Sequence, residues 1–355
     1  MGSGGAEHQL AELADGLIER GHEVTVVSWS DIADHYNLNP KAKRVVIAKG
    51  KPNVVKMIAI WWYFLTVKTD CVIGFGQRAS QFMLAPIKYR LGKHICAIAG
   101  ERNTTIGEPT RYERELMNNL YRRADFIVPN SYSQRKHITE EKPEYETKTI
   151  TITNYTDLTI YRNTPLPGGE GLKICVFARY DTQKNCQRFV EAVKQLRERT
   201  SQKFIIDWYG IQRFKDVEPN PHYVAMKEKV DEYGLQECLH LNDQIKNVAD
   251  AMQKYDAFCL PSLSEGFSNA VSEAICCGRP CIVSDVADNG VMVHEGENGF
   301  LFNPYNVDSI VEAFIKYFAL SKKEKQLMGD NSRKRAEDLF NRERFISAYE
   351  KLLNI

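Results

Sequence analysis

The sequence lacks several features that would settle its class at once. It has no C-x-x-C pair, and its nine cysteines are an odd number, mostly set in apolar runs (Cys71, Cys96, Cys175, Cys259, Cys281). Such placement suits small buried residues rather than a disulfide frame, and the adjacent Cys276 and Cys277 do not make a zinc site. A reducing cytoplasm is the expected compartment. His8, His22 and His94 have no metal-ligand spacing. No G-x-G-x-x-G fingerprint occurs, so a Rossmann dehydrogenase is not supported. The longest apolar run, Met57 to Val67, is too short to span a bilayer, and no signal peptide opens the chain. Net charge is +1, which gives no global pull toward nucleic acid. No repeat or low-complexity tract stands out.

What is present is an ordinary globular composition, 43% hydrophobic and 26% charged, over 355 residues, enough for two domains. An apolar-periodic helix carries Leu10, Leu13, Leu17 and Ile18 on one face and ends at Gly21. Strands are expected at 23–27, 44–48, 71–73, 94–98, 125–128 and 149–152, with helices between them, one running from Arg111 to Arg123. Two prolines and two glycines without periodicity make Tyr161 to Gly169 the linker candidate. The alternation resumes with strands at 173–177, 204–209, 239–241, 257–260, 281–283 and 300–302, followed only by helices, 307–317 and 322 to the end. Alternation of this kind predicts two α/β, doubly wound domains with parallel sheets covered on both faces. The expected division is 1–160, 161–335, and a C-terminal helix over 336–355 that packs back toward the first domain. Ligands in such folds sit beyond the carboxyl ends of the strands, here expected in the cleft between domains.

The stretch from Ser262 to Asp285 concentrates the chemistry. A buried strand leads into a tight loop, Ser264-Glu265-Gly266-Phe267-Ser268-Asn269, and then a helix containing Glu273. A helix start placed just after a strand offers free N–H groups and the positive dipole end to an anion such as a diphosphate. The plainer alternative is an ordinary βαβ unit, with Glu265 aiding the helix start and Glu273 on a solvated face. A second strand–helix loop, Arg179-Tyr-Asp-Thr-Gln-Lys184-Asn185, offers a guanidinium fork and a point charge for phosphate oxygens. Both loops lie at carboxyl ends of strands in one proposed sheet, where they could converge on one diphosphate.

Taken together, Arg179…Lys184-Asn185, the E-x7-E pair Glu265/Glu273 and Gly278-Arg-Pro280 resemble the retaining glycosyltransferases of GT-B fold, family 4 (group 1). The resemblance covers nearly the whole chain, including Gly4 to Glu7 and Gly21 to Val24. It implies two Rossmann-like domains facing a central cleft. It also implies that Arg179 and Lys184 neutralise the diphosphate leaving group, that backbone amides of Gly266, Phe267, Ser268 and Asn269 assist, and that Glu273 accepts the ribose hydroxyls. Glu265 would face the donor sugar at the carbon where positive charge develops, which with Arg179 and Lys184 makes the expected catalytic set. Tyr209, Gly210, Asp243, Gln244 and Ile245 would line the nucleobase. No D-x-D occurs, so a metal is not expected, and the nucleotide sugar is a substrate rather than a cofactor.

On the acceptor side, Glu101-Arg102-Asn103 resembles the S-E-R-N segment of members acting on polysaccharides and lipid-linked oligosaccharides, and Gly4 and Gly5 could let backbone approach a ligand. The family begins with a strand before this glycine turn, so the first domain is expected to lack its leading strand. Residues 41–93 hold eleven Lys or Arg and one acid, Asp70, around Ile58-Ala-Ile-Trp-Trp-Tyr-Phe-Leu65. That pairing of cations and aromatics predicts peripheral binding to an anionic inner leaflet. The expected function is transfer of a hexose or N-acetylhexosamine from a nucleotide sugar, with UDP leading, to a saccharide acceptor. Polyprenyl-diphosphate linkage of that acceptor and surface polysaccharide assembly follow from the same resemblance. Alternatives are a GT-B enzyme that is not a transferase, such as a UDP-N-acetylglucosamine 2-epimerase, or an inactive membrane-docked partner.

Overall fold

A computed structural model describes residues 5–29, 38–87, 89, 92–102, 111–214 and 218–353. The chain divides into two compact units: 1–155 together with 341–355, and 156–340.

The first unit begins with α1 (Gly5–Glu19), β1 (Thr25–Ser28), β2 (Lys43–Val46), α2 (Asn53–Thr66), β3 (Cys71–Phe75), α3 (Gln77–Ile87) and β4 (Cys96–Glu101). It continues through α4 (Arg111–Glu115), β5 (Phe126–Pro129) and α5 (Tyr132–Glu141). The described strands of this unit do not join into one sheet. The described strands form two parallel sheets, β1–β2 and β3–β4–β5, because β1 pairs only with β2 and β3 only with β4. β4 is buried along its whole length, as a central strand must be.

Two further expectations fail for local reasons. The segment 149–152 is not a strand. It touches β5 through one bridge, Ile127 to Thr149, and through N–H groups of Ile150 and Ile152 donated to Ile127 and Pro129, too few to extend the ladder. The helix from 111 to 123 is not continuous: a π-turn over Leu116–Leu120 and a 3₁₀ turn over Tyr121–Arg123 follow α4. Widening the turn brings Leu116, Leu120 and Tyr121 into the core together.

In the second unit come β6 (Leu172–Phe177), α6 (Cys186–Arg199), β7 (Phe204–Gly210), β8 (Arg213–Phe214), β9 (Glu218–Pro219), α7 (Pro221–Glu232), β10 (Leu239–Asp243) and α8 (Val248–Met252). Then follow β11 (Ala257–Leu260), α9 (Asn269–Cys276), β12 (Cys281–Ser284), α10 (Asn289–Met292), β13 (Gly299–Phe302), α11 (Val307–Ala319) and α12 (Lys322–Leu339). Its main sheet is parallel, in the order β10-β7-β6-β11-β12-β13. Ile174, Val176, Phe189, Trp208 and Phe314 fill the core between sheet and helices. α12 starts with a capping box in which Ser321 and Glu324 satisfy each other's backbone N–H.

The final helix is also two elements. Phe340 leaves helical backbone, and the Asn341 side chain accepts from the N–H of Arg344 to start α13 (Arg342–Leu353). α13 belongs with the first unit, where Gly16 of α1 lets Ile346 pack so close that a Cβ would meet its Cδ1 at 2.1 Å. Arg20 binds Glu350 at 2.5 Å and Arg342 binds Glu19 at 2.6 Å along the same seam.

The segment expected as a loose linker is strapped to the second unit. Arg279, wholly buried, donates to the Thr164 carbonyl and, at 2.7 Å, to its hydroxyl. Gln326 accepts from the N–H of Leu166 and Asp256 from that of Gly168. Gly278, in left-handed backbone at φ 68° after α9, leaves the room that Asn163 occupies.

Candidate active site

The site grows from the topology of the six-stranded sheet. The chain builds β6, then β7 and β10 on one side, and crosses to β11 on the other. The strand order therefore reverses between β6 and β11, the position where a doubly wound sheet leaves a crevice beyond its strand ends. The loop after β6 carries Arg179 and Lys184, and the loop after β11 carries Glu265.

These loops are stitched together. Leu263 donates its N–H to the Gln183 carbonyl at 2.7 Å, and the Gln183 side chain returns a hydrogen bond to the Ser264 carbonyl at 3.0 Å. Between them Lys184 Nζ meets Glu265 Oε1 at 2.5 Å, with only 13% and 10% of the two side chains exposed. Ser262 Oγ donates to the same carboxylate oxygen at 2.6 Å. The structure thus joins two residues to which the sequence reading gave separate roles. Asp181 fixes the turn by accepting from the N–H of Lys184 at 2.9 Å, and Asn185 closes it in left-handed backbone at φ 60°. Arg179 stays largely exposed, held loosely by Asp181 at 3.2 Å.

Gly266 and Phe267 complete the turn, and Ser268 caps α9 by accepting from Val271. Asn269 is the first helical residue, so the expected backbone amides do stand at a helix start. Glu273 is not on a solvated face. Burial pushes its carboxyl up to about 7, against a hydrogen bond from Tyr161 that lowers it. Tyr161, Gln183 and Ser262 were missed by sequence reading. Tyr161 lay in the supposed linker, and nothing in a lone serine or glutamine marks it.

Other candidates fall along the same sheet edge. Tyr209 and Gly210 end β7, and Asp243 ends β10 directly opposite Gly210 in register. Tyr209 stacks on Phe177 and bonds its hydroxyl to Tyr255 at 2.7 Å. Asp243 accepts from the N–H of Gln244 at 2.8 Å, and Ile245 follows, half-buried. Buried oxygens of Ser264, Ser284 and Asn289 on this edge have no hydrogen-bond partner. A cavity of about 670 Å³ opens at the opposite end of the sheet, beside Gly168, Lys173, Arg197 and Lys203, and no site candidate lines it.

In the first unit Glu101 is the last residue of β4 rather than a loop residue, and it is buried with Oε2 unpartnered. Burial pushes its carboxyl up to about 8. Arg102 lies over the Phe75 ring at 4.1 Å and donates to the Tyr349 hydroxyl of α13. Gly5 opens α1, while Gly4 and Asn103 lie outside the described residues. No group of three or more metal-ligating side chains occurs among the described residues.

Two family patterns match end to end, Glycosyltransferase Family 4 over residues 3–159 and Glycosyl transferases group 1 over 159–335. The chain belongs to glycosyltransferase family 4. Over 98% of this chain and 93% of the relative, it is 22% identical to the N-acetyl-alpha-D-glucosaminyl L-malate synthase of Bacillus anthracis. A 95-residue stretch is 33% identical to the UDP-Gal:alpha-D-GlcNAc-diphosphoundecaprenol alpha-1,3-galactosyltransferase of Escherichia coli, spanning about a quarter of that relative (24%). A match to the MMP alpha-(1->4)-mannosyltransferase of Mycolicibacterium hassiacum likewise spans little more than a third of its length (36%). Anabaena HepE, solved with UDP and glucose, superposes with a TM-score of 0.81 at 17% identity, covering 100% of this chain and 97% of that one. The chain therefore has the GT-B fold.

Proposed function

We propose that the glycosyltransferase moves a hexose or N-acetylhexosamine from a UDP-sugar to a saccharide carried on polyprenyl diphosphate, with retention at the anomeric carbon and without a metal. The observation that carries this reading is the junction of the β6 and β11 loops at the switch point, with Lys184 against Glu265. As the bond from the anomeric carbon to the diphosphate breaks, negative charge gathers on the leaving oxygens and positive charge on the sugar. Arg179, exposed and loosely held, turns to the phosphates, and Lys184 supplies a second cation. Glu265 faces the developing positive charge, and Ser262 keeps its carboxylate in place. Fixed charges of this kind act without reorganising at the moment of reaction. The amides at the start of α9 add hydrogen bonds to the diphosphate, and ionised Glu273 takes the ribose hydroxyls.

The proton of the acceptor hydroxyl leaves on a diphosphate oxygen, and the products are UDP and a glycoside. On the first unit, Glu101 and Arg102 serve the acceptor side. Work at a lipid-linked acceptor places the protein on the inner face of a membrane, reached through residues 41–93. UDP-sugars are incubated with a lipid-linked saccharide in the presence of a chelator, and UDP release and the anomeric configuration of the product are read. Acceptor-dependent UDP release with a retained anomer is expected. Release that needs no acceptor, or an inverted product, overturns the proposal.

A further inference from the structure

Helix α2 is inverted relative to an ordinary surface helix. Val54, Ile58 and Trp62, four residues apart, form one stripe down its outward side and are 69%, 66% and 69% exposed. Val55, Met57 and Trp61 flank this stripe and are also exposed. Only Ile60 of the helix is buried, while Phe64 packs against the core from the same side. A surface helix normally turns polar residues outward. Here the lone charged residue of the helix, Lys56, is less exposed than the apolar stripe. Tyr89, itself exposed, stacks on Trp61 at 6.1 Å and widens the apolar patch.

Charge says what covers this face. Lys49 and Lys51 stand exposed just before the helix and Lys68 just after it, with Lys41 and Lys43 exposed nearby on the chain. No acid occurs from residue 41 to 69, and Asp70 is paired with Lys93 at 2.9 Å. A second copy of the chain would set these lysines against one another. An anionic lipid surface meets both the apolar stripe and the cations at its ends. At 14 residues the helix is too short to cross a bilayer, and no described helix qualifies as a span.

We propose that α2 is an in-plane membrane anchor, sinking Val54, Ile58 and Trp62 among the acyl chains while Lys49, Lys51 and Lys68 engage anionic headgroups. Aromatic side chains at the border and cations at the rim are the arrangement that holds an amphipathic helix at the interface. The anchor deepens the proposal of a lipid-linked acceptor, but it stands on the helix itself and does not depend on the donor chemistry.

The full chain is sedimented with phosphatidylcholine vesicles, with and without phosphatidylglycerol. Binding is expected only with the anionic lipid, and lipids brominated in their acyl chains should quench tryptophan fluorescence. Ile58→Ser with Trp62→Ser should abolish binding and leave the melting temperature unchanged, because both side chains face outward. Reversal at Lys49 and Lys51 should weaken partition at least tenfold, each lysine near the surface contributing about fivefold. Equal binding to neutral vesicles, binding unaffected by both pairs of substitutions, or a dimer in gel filtration that the Ile58/Trp62 pair dissolves would overturn the proposal. UDP binding measured without vesicles separates the two readings. Vesicle binding with no UDP binding leaves the anchor standing and removes the donor site, and the reverse result removes the anchor alone.

Discussion

The second unit holds six strands in one continuous sheet, whereas the described strands of the first fall into sheets of two and three. The difference separates two ways of placing functional residues. In the second unit Arg179, Lys184 and Glu265 stand on loops whose bases are fixed by strand register, and those loops bond to one another. In the first unit the candidates also hold their own fold together: Arg102 braces Phe75 and Tyr349, and Glu101 is buried at the end of β4. A substitution in the second unit can remove chemistry with little loss of fold, while one in the first is expected to cost both.

The largest effect tests how far the strapping of the second unit matters. Arg279→Met leaves the carbonyls of Cys277, Tyr255 and Thr164 without their donor. It should lower the unfolding free energy by about 3–5 kcal/mol in urea titration. A loss under 1 kcal/mol would show that the strap is incidental.

Next comes chemistry. Lys184→Ala or Glu265→Ala should cut transfer about 10²- to 10³-fold, the scale of losing one stabiliser of developing charge. The double substitution should cost much less than the product of the two, since the residues form one pair. Multiplicative losses would mean that they act separately. Arg102→Ala, in contrast, should lower the melting temperature along with activity.

Among the described residues each unit has one carboxyl raised by burial, Glu101 in the first and Glu273 in the second, which allows a comparison by pH. Glu273 is neutral in the fold below about 7 and ionises near 4.5 when unfolded. Its contribution is therefore complete below about pH 4.5 and is lost progressively as pH rises to about 7, roughly 3 kcal/mol in all. Glu273→Gln should flatten that slope in stability measured from pH 4.5 to 7. Under the proposed ribose contact, which the ionised carboxylate accepts more strongly than the neutral acid, UDP affinity should rise through pH 7 in the wild type relative to Glu273→Gln. Glu101→Gln should flatten a window reaching to about pH 8 without changing UDP affinity. The smallest effect is Ser321→Ala, which removes the α12 cap and should cost about 1 kcal/mol in thermal unfolding, with transfer unchanged.

Much of this was legible in the chain because strand–helix alternation is strong in the second half. The loop after β6 and the loop after β11 could each be placed at a strand end from periodicity alone. That those strands are neighbours could not, since sheet order depends on crossovers that leave no local signal. The Lys184–Glu265 contact spans 81 residues and was invisible for the same reason. The proline- and glycine-rich segment misled because composition reports the freedom of an isolated chain. A buried guanidinium far along the sequence decides where Thr164 lies. The break of the last helix was hidden because Phe340, Asn341 and Arg342 carry no proline or glycine.

The hydrogen bond from Arg279 to Thr164 joins residues 115 positions apart. On a ribosome adding about 5–20 residues per second, the strap waits roughly 6–23 s for its partner to be made. During that interval β6 has emerged, yet its neighbour β11, 82 residues downstream, is still unmade or only just formed. The strand at the centre of the six-stranded sheet is thus born with an open edge, and the second unit becomes whole only when its last third has left the exit tunnel.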